Sequence, residues 1–525
     1  MPLVNLRLLL SRGADRIWNA SLAALILGTA LAFGGAVWWA RPVIAALTAL
    51  FVLAGLLRLA VEREVRVLKS PLTALGVLAV GLAAAQLVPL PAAMAGPISP
   101  RSHDVYAHGV LTGHATADDP SFEWTEPAQV RSPISVDRPA TLRWLAGATV
   151  CLALFWGVSQ FTDRLSRLYL VWGCIVAAYS LNTTIAVVQL VSRSGGLYGV
   201  LQPGKGPAWT PSVNDLLATP NASILRTPGD WGAGGAHPAW AMQVPDRPFL
   251  VGTLMGGPGA YLALGSLGLP LALALVLQLL APRGSREGLA ARLGQSGQGS
   301  LAVLLFGLLM AGGVLVGMMA GPLASLPFVL SLFVVGVGSA RPSGLRWLAV
   351  GLTLSAVLAL GAGAAGGRWW AGLPGDGPPV KPENIETSSR VWLDSLRIMR
   401  DFPVFGTGLG SFASIYPYYK SRDQAQTTAS SSLLQWGVES GAVGLGLLLI
   451  GGAWCLIRLP GAVRRVGTAD RSLAYGLIGA ASGFSLYAAA HWSVELPAVA
   501  VAASALGGTW NRWLAGGTDL FVERG

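Results

Sequence analysis

About twelve apolar runs divide this chain, and they constrain its fold more than any other feature. A run of roughly 20 apolar residues is long enough to cross the hydrocarbon core of a bilayer as a helix. The runs fall near residues 20–38, 42–60, 71–92, 141–160, 168–192, 249–281, 300–320, 323–340, 347–366, 432–457, 473–492 and 494–511. The sequence therefore predicts an all-α, polytopic integral membrane protein with about twelve transmembrane helices.

The composition also indicates that lipid is the main solvent of the chain. Hydrophobic residues make up 53% of the 525 residues and charged residues only 12%, which is about half the charged fraction of ordinary soluble domains. This argues against a cytosolic enzyme and a disordered chain. The net charge of +11 would suit a nucleic-acid-binding protein, but the basic residues are spread over the connections between apolar runs.

The distribution of arginine predicts that both termini lie in the cytoplasm. With the N-terminus inside, the cytoplasmic segments hold 20 of the 36 basic residues, and the short opposite connections hold only Arg41. Short loops rich in Lys and Arg stay on the cytoplasmic side. Three long loops, 93–140, 193–248 and 367–431, then lie outside. They delimit an N-terminal membrane region (1–366, about nine spans), a large outer loop (367–431) and a C-terminal membrane region (432–525, about three spans).

Neither a metal site nor a cofactor site is predicted. The three cysteines lie inside apolar runs, and the five histidines are scattered at spacings that fit no standard zinc pattern. The chain also lacks the glycine-rich phosphate loop of ATP-driven proteins.

The loop 367–431 contains a predicted short amphipathic helix. Residues 387–389 are good N-cap residues, and Pro403 ends the helical pattern that follows. Arg390, Asp394 and Arg397 recur at i, i+4 and i+7 and so share one face, which leaves the other side for protein or lipid. Guanidinium groups on this face suit phosphate. Alternatively, Asp394 only pairs with its arginine neighbours on a solvated face.

Glycines and further basic residues follow this helix. Gly406, Gly408 and Gly410 permit close backbone approach or positive φ angles. Lys420 and Arg422 add positive charge before the next apolar run. The loop 193–248 is rich in Gly, Pro and Trp. Its aromatic rings suit sugar faces, and they equally suit a lid that rests on lipid headgroups.

Several motifs together carry a family resemblance. One stretch runs from Ser389-Arg390 through Trp392, Asp401-Phe-Pro and Gly406-Thr-Gly-Leu-Gly-Ser-Phe to Leu433-Leu-Gln-Trp-Gly-Val-Glu-Ser-Gly-Ala-Val-Gly. It resembles the O-antigen ligase and polymerase family of bacterial inner-membrane glycosyltransferases, which is similar in having about twelve spans and a large outer loop between two late spans. The segments Gly252-Thr-Leu-Met-Gly-Gly-Pro-Gly-Ala-Tyr and Pro133-Ile-Ser-Val-Asp, with Ala140-Thr-Leu, also resemble family segments.

The chain departs from the family pattern in two places. Just after the Gly-Thr of the middle span, where many members carry Asn and often His, this chain has Met255-Gly-Gly-Pro-Gly259. Family ligases carry the motif H-[NSQ]-x9-G-x-x-G, whose histidine is thought to help activate the acceptor hydroxyl. Here the frame begins at Ser430-Ser431 and ends at Gly441-Ala-Val-Gly444, so the spacing is intact and the histidine is absent. The chain is either a divergent enzyme with another base or a member that has lost the chemistry.

The resemblance implies transfer of a glycan from a polyprenyl-pyrophosphate-linked donor to a glycan or lipid-linked acceptor. The reaction would need no metal or cofactor, and it would take place on the periplasmic face of the bacterial inner membrane during cell-surface polysaccharide biosynthesis, of lipopolysaccharide or exopolysaccharide. Arg390 matches the family's recurrent arginine and is the first candidate to bind the pyrophosphate. Further candidates are Arg397, Arg400, Lys420, Arg422 and Arg247. The alternative is a non-catalytic or transport protein on the same scaffold.

Three residues are candidates for the catalytic side of this reaction. Glu439 and Glu495 are the only carboxylates inside apolar runs, and ionisable groups there usually face a cavity or a partner. Glu439 is therefore either a general base or a structural partner that caps the end of its span or pairs with a loop arginine. Ser430 can position the acceptor, because its hydroxyl does not titrate near neutral pH. His491 is a relocated base or a lone histidine at the membrane interface.

Overall fold

The structure is a computed structural model that describes most of the chain. The described residues are 2–35, 39–61, 68–113, 131–192, 252–254, 257–281, 297–340, 346–371, 385–421, 428–491 and 496–516. Regular structure in these ranges is helical, apart from one isolated β-bridge between Leu90 and Ser132. The predicted all-α class is confirmed for this part of the chain.

Sixteen α-helices occur in the described ranges. In chain order they are α1 Pro2–Leu31, α2 Ala40–Val61, α3 Pro71–Gln86, α4 Ala92–Ile98, α5 Pro100–Gly113, α6 Arg138–Phe161, α7 Leu165–Ser192, α8 Gly257–Leu280, α9 Gln298–Ala324, α10 Leu326–Ser339, α11 Arg346–Ala371, α12 Ile385–Asp401, α13 Phe412–Ile415, α14 Ser432–Arg464, α15 Arg471–Ala490 and α16 Pro497–Leu514. Short 3₁₀ turns lie at Phe33–Gly35, Tyr416–Tyr418 and Thr468–Asp470.

Each predicted apolar run coincides with one of these helices. Among the described residues, eight helices are long and apolar enough to cross a membrane, namely α2, α6, α7, α8, α9, α11, α14 and α15. Two more apolar helices, α3 and α10, are shorter, with 16 and 14 residues. The chain is thus a multi-pass membrane protein. The count of twelve spans and the cytoplasmic location of both termini stay predictions.

The apolar run 249–281 contains non-helical residues before α8. α8 begins at Gly257, and Gly252 before it has a φ of +60°. The Thr253 N–H donates to Oδ1 of Asn182 at 2.9 Å, and the Thr253 hydroxyl donates to the Ala30 carbonyl at 2.6 Å. Non-helical backbone at membrane depth requires such internal partners. The side chains of Asn182 and Gln189 in α7 supply them here by accepting the N–H groups of Thr253 and Gly252.

Neighbouring membrane helices approach each other at glycines. A β-carbon on Gly157 of α6 would lie 2.3 Å from the ring of Phe51 in α2, and one on Gly55 would lie 2.2 Å from the ring of Phe161. Because both contacts occur in the same order along the two helices, α2 and α6 run parallel. Close packing at small residues matters in a bilayer, where lipid tails are as apolar as the helices.

An ion network of two buried arginines and two partly exposed carboxylates lies at the end of the bundle where α2 and α6 terminate. Arg58 lies 2.9 Å from Asp163 and 3.5 Å from Asp15. Arg167 lies 2.7 Å and 2.8 Å from the same two carboxylates, and its guanidinium lies 5.5 Å from the ring centroid of Trp18. Each carboxylate therefore has two arginine partners. The network joins α1, α2 and the start of α7.

Two short helices, α4 and α5, occupy the loop 93–140, for which the apolar pattern predicts no helix. The hydroxyl of Tyr106 in α5 donates to the Ser135 carbonyl at 2.9 Å, and the hydroxyl of Ser102 donates to the Ile134 carbonyl at 2.7 Å. Burial raises the pKa of Tyr106 to about 12, with a further contribution from Asp137, so the phenol remains a donor at neutral pH. These contacts hold α5 against the segment that leads into α6.

Candidate functional site

The residues between α12 and α13 lie against a bend in α14. We call this segment, residues 403–412, the Gly turn. Gly441 has a φ of +61° and a ψ of −157° and so interrupts α14. Beyond the bend, the Ala442 N–H donates to the Pro403 carbonyl at 2.9 Å, and the Val443 N–H donates to the Val404 carbonyl at 3.1 Å. The Gly turn thus accepts the α14 N–H groups that the bend leaves without helical partners.

Glycine is required at the closest approaches of this turn. A β-carbon on Gly406, whose φ is +68°, would lie 2.4 Å from the carbonyl carbon of Glu439. One on Gly408, whose φ is +105°, would lie 2.5 Å from the hydroxyl oxygen of Ser135. The predicted close backbone approach and positive φ angles are confirmed, and the approach is to protein atoms.

Glu439 lies at the centre of this contact and is only 2% exposed. Its Oε2 accepts the Gly410 N–H at 2.8 Å, and its Oε1 accepts the Phe412 N–H at 3.1 Å. Gln435, one turn earlier in α14, also donates to Oε1 at 3.2 Å. Charge-assisted bonds from backbone N–H groups are strong. This geometry favours the structural role among the two roles predicted for Glu439.

Gln86, the last residue of α3, completes the same contact and was missed by the sequence analysis. Its Nε2 donates to the carbonyls of Phe405 and Glu439 at 2.7 Å and 3.0 Å, and its Oε1 accepts the Leu409 N–H at 3.0 Å. The signal in the sequence was a single glutamine inside the apolar run 71–92. An amide there needs partners, but the sequence does not name them.

The segment 133–142, which also resembles a family segment, contacts the Gly turn from the other side. The Val136 N–H donates to the Thr407 carbonyl at 2.9 Å. Asp137 caps α6 and accepts the Ser414 hydroxyl at 2.5 Å. Three segments that are distant in sequence but share the family resemblance, 133–142, 406–412 and 433–444, therefore form one contiguous unit.

The helix α12 lies beside this unit and is longer than predicted, because it begins at Ile385 and ends at Asp401. Val391, Asp394 and Ile398 are buried against the protein. Arg390, Arg397 and Arg400 are exposed. Leu393 and Leu396, which the pattern assigned to the side facing protein or lipid, are also exposed. The predicted arginine face is thus accessible, whereas Asp394 lies at its buried edge.

Asp394 links α12 to the residues that precede the next membrane helix. It accepts Arg397 Nη1 at 3.0 Å, and it accepts the N–H and the hydroxyl of Ser421 at 3.1 Å and 3.0 Å. Burial, followed by the charge of Asp394, raises the pKa of Tyr416 to about 12, so this phenol stays protonated 3.4 Å from the carboxylate. The predicted pairing of Asp394 with an arginine neighbour is confirmed for Arg397. The exposed Lys420 adjoins Ser421.

The start of α14, which follows Ser430, contacts His491 at the end of α15. The His491 carbonyl accepts the N–H and the hydroxyl of Ser432 at 3.4 Å and 3.2 Å. The imidazole stacks on Tyr487 with ring centroids 4.8 Å apart. Ser430 is buried with a φ of +55°, which is uncommon for a residue other than glycine. The backbone of His491 therefore contacts a residue two positions after Ser430.

Gln435 connects the residue before Ser430 to the buried Glu439. Its Oε1 accepts the Ala429 N–H at 3.3 Å while its Nε2 donates to Glu439. Two tryptophans lie nearby, since the rings of Trp144 in α6 and Trp436 in α14 have centroids 5.8 Å apart. The Trp436 indole N–H is buried and has no hydrogen-bond partner among the described residues. The sequence analysis assigned no role to these three residues.

Some predicted site residues lie outside the described ranges, namely Arg247 and Arg422, as does Glu495 beside His491. Within the described ranges, no three His, Cys, Asp or Glu side chains are grouped so as to hold a metal ion. Comparison of the chain with models of protein families and with curated proteins gave no match.

Proposed function

We propose that the chain is a glycosyltransferase of the O-antigen ligase or polymerase type, which acts on polyprenyl-pyrophosphate-linked glycans at the periplasmic face of the bacterial inner membrane. One observation carries this proposal. The separate segments that resemble the family meet in one unit, formed by the Gly turn, the bend of α14 and the start of α6, and the arginine face of α12 adjoins that unit.

The exposed arginines of α12 supply the chemistry that a pyrophosphate leaving group needs. Arg390, Arg397 and Arg400 project from one short helix, and planar guanidinium groups match phosphate oxygens in pairs of parallel hydrogen bonds. Asp394 holds Arg397 at 3.0 Å, so that side chain is oriented before any ligand arrives. Positive groups fixed in advance stabilise the charge that develops on the departing pyrophosphate.

We assign the role of general base to His491 rather than to Glu439. Both carboxylate oxygens of Glu439 already accept backbone N–H groups, whereas the backbone of His491 contacts Ser432, two residues after Ser430. In the proposed reaction, the imidazole takes the proton of the acceptor hydroxyl as its oxygen attacks the anomeric carbon. The bond from that carbon to the pyrophosphate oxygen breaks, and the pyrophosphate leaves in contact with the arginines. Ser430 orients the acceptor hydroxyl.

The test is an assay in proteoliposomes that contain the full-length protein, a polyprenyl-pyrophosphate-linked oligosaccharide and a lipid-linked acceptor. Arg390→Ala is expected to lower the rate of glycan transfer by about 100-fold, the usual effect of removing one fixed donor to a developing negative charge. Arg131→Ala is the matched control, because Arg131 is also exposed but precedes the segment 133–142. Equal rates for wild type and Arg390→Ala would overturn the assignment of Arg390.

A non-catalytic or transport protein on the same scaffold is the second candidate. It is favoured by the serine at position 430 and by the engagement of Glu439 with backbone groups. The same proteoliposomes separate the two functions. Movement of the lipid-linked glycan between leaflets, without any new glycosidic bond, would support transport.

A further inference from the structure

A cavity lies at the end of α14 opposite to the Gly turn. It has a volume of about 270 Å³ and is formed where the last turns of α14 meet the end of α16. The lining residues are Ile457, Arg458, Gly461, Ala462, Arg465 and Leu514. None of them takes part in the proposed glycan transfer.

Two arginines give this cavity a positive charge. Arg458 and Arg465 are seven residues apart and therefore project from the same side of α14. A β-carbon on Gly516, just beyond α16, would lie 3.0 Å from Nη1 of Arg465, so this guanidinium extends across the gap between the two helices. Among the described residues, neither arginine forms an ion pair with a carboxylate.

Small and apolar residues form the rest of the wall. A β-carbon on Gly461, midway between the two arginines, would meet no atom within 4 Å, so the cavity is open at that point. Ala462 and Leu514 are buried behind it. The space between the guanidinium groups is therefore available to a ligand and is backed by an apolar surface.

The surface next to the cavity is apolar and faces outward from the bundle. Ile457, which lines the cavity, is 77% exposed, and Ile450, two turns earlier on the same side of α14, is 59% exposed. In a membrane helix such side chains contact lipid chains. Cationic groups thus adjoin a chain-binding surface at one end of a membrane helix, which is the arrangement of protein sites that hold anionic lipid headgroups.

We propose that this cavity binds an anionic glycerophospholipid. Arg458 and Arg465 hold its phosphate on either side of Gly461, and its acyl chains lie along Ile450 and Ile457. The adjoining apolar surface distinguishes this ligand from free phosphate, which would use only the two arginines. The predicted orientation of the chain assigns this site to the cytoplasmic leaflet.

Native mass spectrometry of the full-length protein in detergent tests the proposal. Wild type is expected to retain one phosphatidylglycerol molecule at least tenfold more tightly than phosphatidylcholine. The double variant Arg458→Gln/Arg465→Gln removes the charges, and Gly461→Leu fills the cavity while keeping them. Both variants are expected to lose this retention. Arg464→Gln is the control, because Arg464 is exposed in the same turn but does not line the cavity.

Inorganic phosphate and glycerol 3-phosphate are added as competitors to separate the two sources of phosphate. If neither competitor displaces phosphatidylglycerol at millimolar concentration, the result supports a lipid site. Displacement by inorganic phosphate would overturn it, as would equal retention of the two lipids by wild type. Retention of phosphatidylglycerol by Gly461→Leu at the wild-type level would also overturn it, because the arginines would then act outside the cavity.

Discussion

The side-chain amide of Gln86 donates to the backbone carbonyl of Glu439 at 3.0 Å, across 353 positions of the chain. The same amide contacts the backbone of Phe405 and Leu409. One uncharged side chain at the end of α3 therefore fixes the Gly turn to α14. The position of the candidate site depends on this contact as much as on any charged residue.

Gln86→Leu is expected to destabilise the protein by about 3 kcal/mol, because two carbonyls and one N–H lose their buried partner. The measurement is thermal unfolding in detergent, followed by intrinsic fluorescence. Leu78→Ala in the same helix is the control, since Leu78 is exposed and contacts none of these groups. Equal melting temperatures for Gln86→Leu and wild type would contradict the proposed role of Gln86.

Glu439→Gln is expected to weaken folding by about 2 kcal/mol, because the amide nitrogen would face a backbone N–H that now donates to a carboxylate oxygen. The transfer rate per folded molecule should stay within a factor of a few of wild type. Thermal unfolding and the transfer assay are measured on the same preparation. Unchanged stability together with a rate lost by several orders of magnitude would instead identify Glu439 as the base.

Gly408→Ala is expected to lower the free energy of unfolding by at least about 2 kcal/mol, because the residue has a φ of +105° and its β-carbon would lie 2.5 Å from Ser135. Gly446→Ala is the control, since a β-carbon at Gly446 in α14 meets nothing within 4 Å. Folded yield and melting temperature of the two variants are compared. Similar losses in both would show that the Gly turn tolerates a side chain.

His491→Ala is expected to lower the transfer rate by about 10² to 10⁴, the usual contribution of a general base. Ser430→His in the same protein should restore part of the rate, because histidine tolerates the positive φ of this position. The readout is the rate in proteoliposomes, with Ser430→Asn/His491→Ala as the control. No recovery with Ser430→His and full recovery with the asparagine control would each contradict the assignment.

Asp163→Asn is expected to destabilise the protein by about 3 to 5 kcal/mol, because Arg58 and Arg167 would lose a shared, largely buried partner. Asp104→Asn serves as the matched control. Asp104 lies 3.8 Å from Arg101, and both side chains are more than half exposed. The free energy of unfolding is therefore expected to change by less than about 1 kcal/mol. Unfolding of both variants in the same detergent checks the difference.

The sequence predicts the membrane helices well because a bilayer leaves few alternatives. Backbone groups in lipid must be paired within the segment, so each apolar run became a helix. The helical spacing of Arg390 and Arg397 likewise predicted the arginine face of α12. The first turn of that helix was missed, since the serine and threonine cap signals at 387–389 lie inside it. The polar helix α5 was missed because it has no apolar run.

The contacts of the candidate site could not be predicted from sequence patterns. Glu439 was singled out as an intramembrane carboxylate, yet its partners are backbone N–H groups of Gly410 and Phe412, which any residue type could provide. Gln86 lies hundreds of residues from the groups that it contacts. The contact between Ser432 and the His491 carbonyl arises where the start of α14 meets the end of α15, and no spacing in the chain encodes it.

The bend at Gly441 lets a single helix serve two environments. The 33 residues of α14 would extend about 50 Å if straight, well beyond a hydrocarbon core of about 30 Å. The part after the bend, 442–464, has a length of about 35 Å and so matches the bilayer by itself. The turns before the bend, with Gln435 and Glu439, are therefore not needed to span the hydrocarbon core. They can lie at the membrane boundary, where a molecule carried in the membrane would meet water.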